Sequence, residues 1–136
     1  IVGIKEASGN IGVIETLVEG RKKGFKIYSG DDGTSMISNL LGADGCISVA
    51  CNIIPKEFAK MMELSLAGKA AEAREIHYKY RHLMDLLFVE SNPIPVKAAL
   101  AAMGMMKEEY RLPLCKMANE NKALLLAEMK KLGLIK

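Results

Sequence analysis

Apolar and polar positions along the chain repeat one unit three times: a short apolar run, a small polar loop, a helical stripe and a glycine. The first run, Ile1–Lys5, leads to a helix predicted from about Asn10, striped by Val13, Ile14, Leu17 and Val18 and closed by Gly24. The second, Phe25–Ser29, passes through Gly30-Asp31-Asp32-Gly33 to a helix striped by Met36, Ile37, Leu40 and Leu41 that stops at Gly42. The third, Gly45–Val49, passes through Ala50–Ile54 to Pro55, which suits a first helical position, before Phe58, Met61 and Met62. Apolar runs separated by helices predict βα units joined by right-handed crossovers into a parallel sheet.

After Gly68 the strand signal ends. Residues 69–89 read as one helix with Ala73, Ile76, Tyr80, Leu83 and Leu87 inward. Pro95–Met103 reads as a short helix introduced by Ser91-Asn92-Pro93-Ile94, and Asn119–Leu132 as a last one with Leu124, Leu125 and Leu132 on its buried face. The expected division is therefore an α/β part, 1–68, and an all-helical part, 69–136. Three parallel strands leave both sheet edges open to further pairing. A closed βα barrel takes roughly 250 residues, against 136 here. The expected fold is α/β: the C-terminal part of a (β/α)8 barrel, three parallel strands with helices, followed by a helical domain. The opening inside a strand, without an initiator methionine, favours this over a small doubly wound sheet.

Composition narrows the function. Half the residues are hydrophobic (50%) but only 5% are aromatic, so the core is aliphatic, with nine methionines to fill gaps. A net charge of +3 with interspersed signs gives no argument for nucleic acid. The basic clusters Arg21-Lys22-Lys23 and Lys130-Lys131 fall at helix C-termini, where cations complement the dipole. Cys46, Cys51 and Cys115 form no CxxC pair and leave one odd, which reads as a reducing cytosol rather than a disulfide frame. His77 and His82 lie in a helical stretch without ligand partners and read as surface or packing residues. No apolar run reaches membrane-spanning length and no signal peptide is read, so no membrane partner is expected.

The candidate chemistry sits at the strand ends, which share one rim in a βα barrel. Lys5 closes an apolar run. A lysine there either emerges into solvent or is desolvated, which favours the neutral amine that attacks a ketone to form a Schiff base. Gly3, on the same face, would leave room for the lysine stem or a substrate, and Gly30 lets backbone approach a ligand. Amides at the helix N-termini suit a carboxylate or phosphate. Together these describe a lysine beside an anion-friendly rim, as a 2-oxo acid requires. Gly30-Asp31-Asp32-Gly33 also reads as a plain turn with a helix cap. No phosphate-loop spacing is present, and Asp31 and Asp32 lack a third metal ligand. Glu6 is expected on the face opposite Lys5.

At these residues the chain resembles the dihydrodipicolinate synthase and N-acetylneuraminate lyase family. Ile1–Asn10 is similar to its Schiff-base strand, G-I-K-E/D-x-[ST]-G-[ND]. Ser29-Gly30-Asp31-Asp32 and Gly42-Ala43-Asp44-Gly45-Cys46-Ile47-Ser48-Val49 resemble the next two strand ends. Phe88–Lys97 resembles the F-x-E-x-N-P-I-P-V-K segment of the dihydrodipicolinate synthase branch, and Arg111-Leu112-Pro113-Leu114 its R-L-P-L/M run. The resemblance implies a cytoplasmic homotetramer that joins pyruvate to L-aspartate semialdehyde, giving the cyclic precursor of lysine and diaminopimelate. Lys5 would form the imine, Ile47 and Gly30 would border the pyruvate through backbone atoms, and neither a metal nor an organic cofactor is implied. The family's proton-relay tyrosine and threonine, its carboxylate-binding arginine and its lysine-feedback site have no counterpart among these residues. Neither Tyr28, on the pleat face opposite Ser29, nor Tyr80 takes their place. Two other readings remain at this point: a non-catalytic half-barrel that acts as an interaction module, and a lyase of the same family for neuraminate or a 2-keto-3-deoxy sugar acid.

Overall fold

The computed structural model describes residues 1–136. In order the elements are β1 (Gly3–Glu6), α1 (Ile11–Glu19), β2 (Lys26–Ser29), α2 (Ser35–Leu40), a single 3₁₀ turn (Ala50–Asn52), α3 (Pro55–Leu66), α4 (Ala70–Leu86), α5 (Ile94–Ala102) and α6 (Asn119–Lys131). The chain forms two compact units, Ile1–Lys79 and Tyr80–Lys136, so the division in sequence falls within α4.

In the first unit β1 and β2 pair in parallel, Lys5 opposite Tyr28 and Glu6 opposite Ser29. The connection through α1 is the predicted βα unit. Asn10 caps α1 by accepting the Gly12 N–H at 2.9 Å. The helix stops at Gly20 rather than at Gly24, because the Gly20 N–H already closes on the Thr16 carbonyl at 3.0 Å. Gly24, at φ +85°, instead turns the chain into β2. Ile14, Ile27 and Ala43 form the core beneath the sheet, with Leu17, Val18 and Phe25 packed around them. Val13, expected in that stripe, is exposed.

The third expected strand, Gly45–Val49, is reduced to one parallel bridge between Ser29 and Cys46. Gly45 sits at φ +142° just before it and the 3₁₀ turn begins at Ala50 just after, so few residues remain extended. The α2 stripe also differs from expectation. Ser35, Met36, Ser38 and Asn39 face inward, while Ile37, Leu40 and Leu41 are exposed. The serines tolerate burial because their hydroxyls donate locally, Ser35 to the Asp32 carbonyl (2.8 Å) and Ser38 to the Thr34 carbonyl (2.9 Å). Asn39 donates across to Ser65 of α3 at 2.9 Å. Pro55 opens α3 as predicted, and Phe58 and Met61 are buried.

In the second unit Leu83, Met84, Leu87, Leu125 and Met129 are buried. On α6, Leu124 points outward and the carboxylate-bearing Glu128 inward, paired with Lys131 at 3.2 Å. The 69–89 helix is observed as α4, with Ala73, Tyr80, Leu83 and Leu87 buried as expected. No helix is long and apolar enough to cross a membrane.

Candidate active site at the strand ends

The sheet presents two unlike faces. Ile27 and Ser29 are buried against the helices. Alternation and register put Gly3, Lys5, Lys26 and Tyr28 on the other face. A methyl on Gly3 would lie 2.7 Å from the Lys26 carbonyl oxygen, so its bare α-carbon serves strand pairing.

Lys5 projects from β1 across the end of β2. A methyl on Gly30 would lie 2.5 Å from Lys5 Cε, 3.1 Å from its Cγ and 2.6 Å from Ala7 Cβ. Gly30 is therefore the bed on which the lysine stem rests, and its own N–H donates to the Glu6 carbonyl at 2.6 Å. Lys5 is exposed, so the desolvation expected for it is not provided by this chain's own residues. Glu6 lies on the opposite face as expected, and it turns its carboxylate back onto the Ser8 N–H at 2.8 Å.

Ile47 joins the same rim. Its N–H donates to the Ser29 carbonyl at 2.8 Å, and the Ser29 N–H donates to the Gly45 carbonyl at 2.9 Å. Lys5, Gly30 and Ile47 thus occupy three successive strand ends, and the Ile47 side chain is 51% exposed. Tyr28 does lie opposite Ser29 in the pleat, but register places it on the face of Lys5. Tyr80 lies on α4, in the second unit.

The two aspartates after Gly30 divide their work. Asp31 accepts from the Thr34 N–H (2.8 Å) and hydroxyl (2.7 Å), which anchors the start of α2, while the Ser29 hydroxyl bonds the Asp31 backbone. Asp32 turns inward, and its Oδ2 accepts the N–H of Val49 (3.1 Å) and of Ala50 (2.8 Å). Burial pushes its carboxyl above the usual range, while bonds from Ser48, Ala50 and Val49 pull the other way. Beside it, burial and the Asp32 charge push the Cys46 thiol up to about 12, so it is an inert thiol rather than a nucleophile. Asp44 closes the opposite end of the sheet. It accepts from Lys26 (2.7 Å), Arg21 (2.8 Å) and the Ile27 N–H (3.0 Å), and the Lys26 bond chiefly holds it below the usual range.

Neither Asp32 nor Asp44 was singled out by the sequence for these roles. Within the 3₁₀ turn after Val49, Ser48 Oγ takes the Cys51 N–H locally, while the Ala50 N–H takes its acceptor, Asp32, from elsewhere. No cluster of three metal-ligating side chains exists, and the three cysteines are free.

Comparison with known proteins gives a consistent result. Residues 1–132 match the model of the dihydrodipicolinate synthetase family. The 4-hydroxy-tetrahydrodipicolinate synthase of Chlorobaculum parvum is 46% identical over 135 residues, covering 99% of this chain and 46% of that protein. The protein of the same name from Methanocaldococcus jannaschii is 45% identical, with the same coverage. Among solved structures, dihydrodipicolinate synthase from Aquifex aeolicus superposes with a TM-score of 0.95 at 42% identity, covering 98% of this chain and 46% of that one. The chloride-inhibited Acinetobacter baumannii enzyme, solved with pyruvate, superposes at 0.96 with 40% identity, covering 99% and 46%. The fold is accordingly that of the C-terminal part of the barrel with its helical domain, and the chain spans about half the length of the curated relatives it matches. On this agreement of strand ends, helices and sequence along nearly its whole length, the chain belongs to the dihydrodipicolinate synthetase family.

Proposed function

We propose that this chain carries the imine-forming part of an enzyme that condenses pyruvate with L-aspartate semialdehyde to 4-hydroxy-tetrahydrodipicolinate, in lysine and diaminopimelate biosynthesis. Residues 1–68 supply the barrel portion and 69–136 the helical domain. Lys5 is the nucleophile. Its neutral amine attacks the ketone carbon of pyruvate, and the carbonyl oxygen leaves as water to give the imine. Loss of a methyl proton turns the imine into an enamine, whose carbon attacks the aldehyde of the second substrate. Gly30 and Ile47 border the keto acid through backbone atoms.

The observation that carries this reading is the course of the Lys5 side chain, laid over Gly30 at the end of the neighbouring strand instead of running free from the edge. The pyruvate-bound Acinetobacter baumannii relative supports the choice of keto acid. The relatives' shared name supports the aldehyde partner over a sugar acid. A cytoplasmic homotetramer is the proposed setting, and sedimentation gives the oligomeric state directly.

Borohydride reduction in the presence of pyruvate tests the chemistry. One reduced pyruvate is expected on the peptide that carries Lys5, and Lys5→Arg, at an exposed site that tolerates exchange, abolishes it. A folded chain that takes no adduct, or takes it on another lysine, overturns the assignment.

A further inference from the structure

We infer that Asp32 is a positioning residue for the keto-acid rim: from the loop after β2 it fixes the backbone of residues 48–50, and through them the Ile47 edge that faces the substrate of Lys5. The inference deepens the pyruvate reading and rests on it.

Asp32 is 1% exposed and no cation pairs with it. Its partners all belong to the segment around Ile47. Oδ2 accepts from Val49 and Ala50, the Ser48 hydroxyl bonds the same carboxylate, and the Cys46 thiol lies 3.9 Å from Oδ1. Ser48 passes the constraint on, since its oxygen accepts the Cys51 N–H at 2.9 Å. Residues on both sides of Ile47 therefore converge on one carboxylate that lies 14 to 18 positions earlier in the chain.

The reason for such a device lies in the shortness of the third strand. A strand end is ordinarily held by a ladder of backbone bonds. Here the ladder amounts to the Asp44–Ile27, Ser29–Gly45 and Ile47–Ser29 bonds, and the chain turns at Ala50 immediately afterwards. All three lie at or before Ile47, and the Asp32 carboxylate supplies the anchor beyond it. The neighbouring Asp31 cannot substitute, because its carboxylate is committed to Thr34 within its own loop. Asp32 touches no substrate in this scheme; it acts through Ile47.

The test follows Lys5 labelling by borohydride as pyruvate is varied, for the wild type, Asp32→Ala and Asp32→Asn. With Ala, loss of two charge-assisted acceptor bonds is expected to raise half-saturating pyruvate about tenfold while the plateau of labelling is unchanged. Asn keeps an oxygen for Val49 and Ala50 but turns a donor toward Ser48 and Cys46, so a rise of about threefold is expected. Amide exchange supplies a second readout. The amides of Val49 and Ala50 should lose protection in Asp32→Ala and, to a smaller degree, in Asp32→Asn, whose neutral oxygen is the weaker acceptor, while those of α5 and α6 keep theirs. Should Asp32→Ala fail to fold, Asp32→Asn carries the test. A labelled wild type whose folded variants share its half-saturation overturns the role of Asp32 alone. An unlabelled, folded wild type removes the pyruvate reading, and this role with it. Unchanged exchange at Val49 and Ala50 overturns the clamp itself.

Discussion

In the first unit carboxylates hold backbone at both ends of the sheet: Asp32 accepts the N–H groups of Val49 and Ala50 and Asp31 that of Thr34 in its own loop at the rim, and Asp44 accepts the Ile27 N–H at the opposite end. In the second unit the corresponding work falls to apolar side chains. Leu83, Leu87, Leu125 and Met129 are wholly buried, and the bridging carboxylates are fewer: Glu90 accepts the Ala118 N–H (3.0 Å) and the Asn121 amide (2.8 Å), and Glu108 accepts from Lys122 of α6. The contrast follows from what each region must do. A helical unit satisfies its backbone internally and needs only cohesion. A rim that must present backbone to a ligand cannot cover itself with side chains, so its loops are tied from below by carboxylates. The first arrangement spreads its stability over many contacts, while the second concentrates position in a few.

The largest effect that would break this contrast is expected in the helical unit. Leu125→Ala removes a fully buried side chain from α6 and should cost about 2–5 kcal/mol, read as a drop in urea or thermal stability. A loss below about 1 kcal/mol would show that α6 is held by its polar ties and that the two regions are alike. On the rim the expected effect is positional. Gly30→Ala places a methyl 2.5 Å from Lys5 Cε and 2.6 Å from Ala7 Cβ, so the lysine must leave its bed. Pyruvate labelling of Lys5 should slow about a hundredfold, as for a misplaced reacting group, with a smaller loss of thermal stability from the shift forced on Ala7. Equal labelling rates would mean that the lysine works from a different rotamer, away from Gly30.

Much of this organisation was legible in the residues. Asn10, Pro55 and the alternation of Ile27 and Ser29 state their local roles through capping, fixed φ and pleat. Lys5, Gly30 and Ile47 fall where parallel strands of equal order must end. What was not legible depends on distant partners. The pair Asp31-Asp32 looks like a turn with a cap, and half of it is; that Asp32 reaches the 48–50 segment is decided only once β2 and the Cys46 bridge lie side by side. The same holds for Asp44, whose cations come from the α1–β2 connection and β2. The stripe of α2 misled because Ile37, Leu40 and Leu41 satisfy helical periodicity, whereas Ser35 and Ser38 become buriable only when their hydroxyls bond local carbonyls. A periodicity rule counts hydroxyls as polar even where the backbone absorbs them.

The smallest expected effect separates buried Asp32 from the partly exposed Asp44 by the sign of their pH dependence. Asp44 is held below the ordinary aspartate value of 3.8, chiefly by Lys26 and then by the Ile27 N–H. Its contribution is therefore fully present above pH 3.8 and is lost as pH falls below that value through the depressed range. Asp32 is raised above 3.8 by burial, so the stability it lends when protonated is fully present below 3.8 and is lost as pH rises from 3.8 through its raised range. Denaturant midpoints measured against pH should accordingly show Asp44→Asn below the wild type at neutral pH, the two converging only below 3.8. Asp32→Asn should change the slope in the window above 3.8 instead. Because Arg21 and Lys26 reach Asp44 from exposed positions, added salt should shrink the first difference and leave the second in place, since Asp32 is held by backbone donors out of reach of counterions. If both variants respond to salt alike, Asp32 is not shielded by the fold, and the distinction between a rim tied from below and a surface ion pair is lost.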